Sequence, residues 1–152
     1  MSVRRYIHRL AIASSLAAAS VPAIGHDGPE QVIAALTTAI ERRGPSPELL
    51  YRRACERRVL GDLKAAEADL SAAVASDPTH FSAGLELARV RTSLGRSEAA
   101  LRAVDAAEPF AETDAQRAAC RMVRCELARS RGDLAAALDE CDAACRLVPE
   151  GA

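Results

Sequence analysis

The chain has 152 residues, 49% of them apolar and 27% charged, which is enough for one domain with a real core and too apolar for a disordered polymer. Aromatics make up only 3% and Trp is absent, so the core has to be built from Ala, Leu and Val, a stock that suits closely packed helices better than sheets. The formal charge of −1 provides no global field for nucleic acid, and any functional charge has to be local.

Met1 to Arg9 carries Arg4, Arg5 and Arg9 without an acid, and Leu10 to Ile24 is uncharged and rich in small apolar residues. This is a signal-peptide profile. Ser14, Ser15, Ser20 and Pro22 interrupt a run already too short to span a bilayer comfortably, which makes a permanent anchor the weaker reading. The chain is therefore expected to be exported, periplasmic or secreted, with residues 1–25 removed near Gly25 and no stable membrane span afterwards. Val21-Pro22-Ala23 is a competing cleavage site.

Gly28-Pro29-Glu30 reads as a helix start, with Asp27 or Gly28 near the N-cap. Val32, Ile33, Leu36 and Ile40 follow at helical spacing until Arg42-Arg43-Gly44-Pro45 stops the element. Residues 26–46 thus form one leading helix. The stretch Gly61-Asp62-Leu63-Lys64-Ala65-Ala66 then sets a pattern that returns at Gly95-Arg96-Ser97-Glu98-Ala99-Ala100 and Gly132-Asp133-Leu134-Ala135-Ala136-Ala137, at intervals of 34 and 37 residues. A recurring helix pair is the physical reading of that period. Each glycine marks a turn between two helices. The first pair spans 47–80, the second 81–113 with a longer connection at Glu108-Pro109-Phe110, and the third 114–152.

The period, the small residues Ala54, Gly61, Ala66 and Ala73, and the closing Pro78 resemble the tetratricopeptide repeat. The resemblance implies an all-α fold, an α-solenoid of antiparallel helix-turn-helix repeats, with 26–46 as a half-repeat cap. It also implies a protein-binding scaffold whose first helices line a concave groove. Arg53 and Arg57 stand where the family usually places Leu and Tyr, and they are expected either to loosen the first hairpin or to lay their stems along the groove. No polar capping helix is evident after Pro149, so that end is expected to be covered by a partner, by self-association or by a continuation of the natural chain.

Four of the five cysteines, Cys120, Cys125, Cys141 and Cys145, fall in the third helix pair. A hairpin turning at Gly132 brings Cys125 near Cys141 and Cys120 near Cys145. One bridge, with Cys125–Cys141 the best-placed pair, and buried free thiols both remain open, while Cys55 stays unpaired in either case. The spacing lacks the loop geometry of a zinc site and no His lies nearby. His26, as a mature amino terminus, has no second His to complete a copper site. The residues contain no nucleophile–base set, phosphate-cradling loop or paired carboxylates, so neither an enzyme nor a cofactor is expected.

Charge separates by helix. The first helices, 47–60, 81–94 and 114–131, carry a net +6, and the second helices, 61–78, 95–108 and 132–150, a net −8. If the first helices line a groove, as the resemblance implies, it is basic and suits an acidic protein segment. The expected contacts on that register are Arg52, Arg58, Arg89 and Arg129, with Tyr51, Leu85 and Met122 as apolar neighbours. The competing reading is that the opposite charges pair off between helices as solvated faces.

Overall fold

A computed structural model describes residues 28–148. Residues 1–27, which include the expected leader 1–25 and His26, and residues 149–152, which include Pro149, lie outside the described residues. Seven α-helices follow in order: α1 (Pro29–Arg43), α2 (Pro47–Val59), α3 (Leu63–Ser76), α4 (Phe81–Ser93), α5 (Ser97–Ala107), α6 (Asp114–Ser130) and α7 (Leu134–Leu147), with a 3-10 turn at Glu108–Phe110 between α5 and α6. Among the described residues there is no strand, and no helix is long and apolar enough to cross a membrane.

Local chemistry places the boundaries. Ser46, Asp62 and Asp133 each accept a hydrogen bond from the backbone N–H three residues on, which satisfies an orphan donor of the first turn. Thr113 and Gln116 cap α6 reciprocally. The three hairpin turns share one C-terminal device. Gly61, Gly95 and Gly132 have φ of 80°, 71° and 78°, and the following residue donates back to a carbonyl of the last turn, Asp62 to Arg57, Arg96 to Arg91 and Asp133 to Ala128. This is the left-handed glycine closure that a side chain would strain.

The helices pack as consecutive antiparallel pairs, α2 with α3, α4 with α5 and α6 with α7, while α1 lies on α2 as α3 lies on α4. Small residues make the close approaches. Ala54, Ala66, Ala73, Ala83, Ala88 and Ala100 are wholly buried, together with Leu70, Val90 and Val104. A Cβ on Gly84 would stand 2.9 Å from the Cβ of Ala107, so α4 and α5 meet where only hydrogen fits. Ala100→Leu is accordingly expected to destabilise the array by about 1–3 kcal/mol through overpacking. Lys64→Ala, on an exposed face, should stay within about 0.5 kcal/mol. Equal thermal midpoints for the two variants would contradict this packing.

Arg53 and Arg57 neither loosen the first hairpin nor lie in the groove. Arg53 donates Nε and Nη2 to the Asp69 carboxylate at 2.8 and 2.7 Å and Nη1 to Thr37 Oγ1 at 3.1 Å, and Arg57 adds Nη1 to Asp69 Oδ2 at 2.8 Å. Asp69 is only 5% exposed. Two arginines thus replace apolar packing with a shared buried carboxylate that ties α1, α2 and α3 together.

Candidate protein-binding groove

The first helices α2, α4 and α6 are neighbours along one face, with α4 touching both of the others. Most of their positive charge turns away from that face. Arg91 of α4 pairs with Glu67 of α3, Arg121 of α6 with Glu140 of α7, Arg124 with Asp105 and Glu108 at the end of the second hairpin, and Arg131 with Glu98 of α5. Helix-by-helix charge separation therefore resolves largely into pairs between first and second helices. The arginines not engaged this way include the four expected on the groove.

Arg89 and Arg129 come together with Met122 at an open hollow of about 480 Å³ between α4, α6 and α7. Val123, Glu126, Cys125 and Cys141 complete its lining. Met122 is 51% exposed there. Arg129 has no ionic partner among the described residues, and neither does Arg52, which is exposed on α2. Helix geometry explains why Arg129 and Met122 meet: they are seven residues apart on α6, two turns along one stripe.

Arg58 and Arg89 converge on a residue that the charge sums conceal. Glu86 of α4 is 5% exposed. Arg58 Nε stands in direct ionic contact with its Oε1, and Arg89 Nη1 lies 3.3 Å from its Oε2. The Arg58 contact lacks hydrogen-bond geometry, so Oε1 has a charge partner but no formed hydrogen bond. Two of the four arginines expected on the groove thus share an internal carboxylate. The i, i+3 spacing of Glu86 and Arg89 was the sequence signal for half of this arrangement; the Arg58 half needs two hairpins placed side by side.

Tyr51 is half-buried and sets its ring 5.2 Å from that of His80. Burial, followed by the neighbouring Cys55, pushes its phenol up to about 12. Leu85 corrects the expected contact set: it is 6% exposed and packs in the core cluster. The reason is the position of α4 at the middle of the array, where helices cover nearly all of its circumference.

The structure joins Cys125 to Cys141 as a disulfide, Cα to Cα 5.7 Å, across the α6–α7 hairpin at the floor of the hollow. Cys55, Cys120 and Cys145 are free. Burial raises the Cys55 and Cys120 thiols above their usual range, which suppresses their thiolates. Among the described residues no group of three or more His, Cys, Asp or Glu is placed to hold a metal ion.

No protein-family model and no curated protein matches the chain. Solved structures do. A crystal structure of MamA superposes with a TM-score of 0.70 at 18% identity, over 78% of this chain and 68% of that one. A second MamA crystal structure gives 0.68 at 17% identity over 78% of this chain, which spans 63% of its length. The MamA RS-1 ArsTM double mutant gives 0.69 at 22% identity, covering 80% of this chain and 67% of that one. At such identities the likeness is one of fold, and the fold is all-α, a solenoid of antiparallel tetratricopeptide-like helix pairs.

Proposed function

We propose that this chain is an exported, non-catalytic protein-interaction scaffold that holds an acidic segment of another protein against α2, α4 and α6. The observation that carries the reading is the hollow in which Arg129, without an ionic partner among the described residues, stands together with exposed Met122 and with Arg89, itself paired to Glu86. A guanidinium binds a carboxylate through two parallel N–H donors, and its stem covers apolar surface beside it. An acidic residue flanked by a small apolar one matches that lining. Glu86 gives the site a graded character, since it already neutralises part of Arg58 and Arg89 while Arg52 and Arg129 remain open to a ligand.

The test uses a fluorescent synthetic peptide of alternating Glu and Leu, titrated into the chain without residues 1–25. Arg129→Glu is expected to weaken binding about tenfold and to flatten its salt dependence. Arg102→Glu, exposed on the outer helix α5, should leave both unchanged, and Glu86→Gln, which releases Arg58 and Arg89, should tighten binding. Affinity indifferent to Arg129 and Arg89, or unchanged by salt, would overturn the reading.

A further inference from the structure

The outer side of α7 differs from the matching sides of α3 and α5. Leu101 of α5 packs against the core and faces Arg124 and Leu127 of α6 and Arg131 just past its end, and Leu63 of α3 also packs against the core. In the glycine register, which steps 37 residues from Gly95 to Gly132, Leu101 corresponds to Leu138 and Asp105 to Asp142; Leu63 corresponds to Leu134. Yet Leu134 and Leu138 are both 66% exposed, Val148 is 49% exposed, and Cys145 between them is an exposed free thiol. At 100° per residue Leu134, Leu138 and Cys145 form one stripe about 40° wide, with Asp142 roughly 60° to one side of its centre and Val148, at the helix end, bordering it on the side of the Cys141 disulfide. Among the described residues no helix covers the stripe, and Asp142 has no ionic partner there.

The inner junction shows what fits such a face. Arg124 of α6 reaches Asp105 at 2.8 Å while Leu127 of the same helix, 1% exposed, fills the apolar side. We propose that α7 presents the same half-junction to an amphipathic helix of a partner protein, one with an apolar stripe and an arginine aimed at Asp142. A second copy of the chain fits less well. The exposed residues from Leu134 to Val148 centre on Cys141, so an antiparallel pairing of α7 on α7 would set the two Asp142 carboxylates beside each other at the two-fold axis, a like-charge contact. The proposal is independent of the groove on the first helices.

The probe is a synthetic peptide of residues 113–131, the α6 sequence with its Thr113 cap and with both cysteines replaced by serine, because α6 makes this contact within the chain. Two readouts apply: alkylation of Cys145, and amide chemical shifts of the chain without residues 1–25. The peptide is expected to slow Cys145 alkylation and to shift Leu134, Leu138 and Asp142. Asp142→Arg in the protein, or Arg124→Glu in the peptide, should each weaken the effect about tenfold, and combining the two should restore it. Asp142, the position changed on the protein, is exposed, and unchanged helical circular dichroism verifies folding of the variant. Absence of protection at millimolar peptide would overturn the proposal, as would protection indifferent to Asp142 or shifts confined to α5. Self-association of the chain with Cys145 already shielded would make a second copy the occupant and overturn it equally.

Discussion

Replacing Asp69 with Ala is expected to lower the stability of the array by about 3–5 kcal/mol, the cost of leaving buried charge without its partner. Asp69 is the single carboxylate serving Arg53 and Arg57, whose side chains are 13% and 22% exposed. Once it is gone, two guanidiniums have no anion within the packed layer and too little water to replace one. Because Arg53 also reaches Thr37 on α1, the loss extends to the leading helix, and the α1 amides should lose hydrogen-exchange protection together with those of α2. The charges matter here chiefly because they are present: Asp69→Leu combined with Arg53→Met and Arg57→Leu should recover most of the loss. Urea midpoints of the wild type, the single variant and the triple variant measure both effects. A single variant within about 1 kcal/mol of wild type would show that water reaches the cluster.

Leu127→Ala is the second large effect expected, about 2–5 kcal/mol for a wholly enclosed leucine whose neighbours relax only in part. Leu127 belongs to the core and lines the junction of α5, α6 and α7. The α5–α6 contact is less extensive than the corresponding α3–α4 and α1–α2 contacts, because the 3-10 turn Glu108–Phe110 intervenes before α6 begins. A cavity placed there has few other apolar contacts to share the loss. Hydrogen exchange should accelerate in α6 and α7 well before α2 and α3 respond. Uniform acceleration along the chain would indicate a single cooperative unit.

The helix pairs were readable because their turns are written in short-range chemistry, a glycine able to take positive φ at 61, 95 and 132; the structure adds the side-chain caps at Ser46, Asp62, Thr113 and Asp133. Alanine at the close approaches, Ala54, Ala66 and Ala100, stands where the tetratricopeptide resemblance implies small residues. The side to which a charge turns was not legible. Arg52 and Arg53 are adjacent in sequence, yet one is exposed without an ionic partner among the described residues and the other is locked to Asp69, since one residue rotates the helix by about 100°. A charge sum over a helix ignores that rotation. Leu85 was misplaced for a related reason: α4 is enclosed on several sides, so a position that is outward in a terminal pair is inward there. Glu86 required two hairpins to be placed beside each other before its link to Arg58 could be seen.

The joint between α5 and α6 is bridged by ion pairs whose strength depends on the solution. Arg124 with Asp105 and Glu108, and Arg131 with Glu98, span it, and the acidic partners Asp105 and Glu98 are largely in water. Salt weakens such pairs, and acid acts on the same place. The hydrogen bond from Arg124 holds the Glu108 carboxyl below its usual range, so the contribution of that pair is full above the unfolded carboxyl's pKa and is lost as pH falls through the lower folded one. The disulfide keeps α6 and α7 together as a lever beyond the joint. Salt and acid are therefore expected to loosen this joint before any helix unfolds, and to change the spacing of Arg89 on α4 and Arg129 on α6.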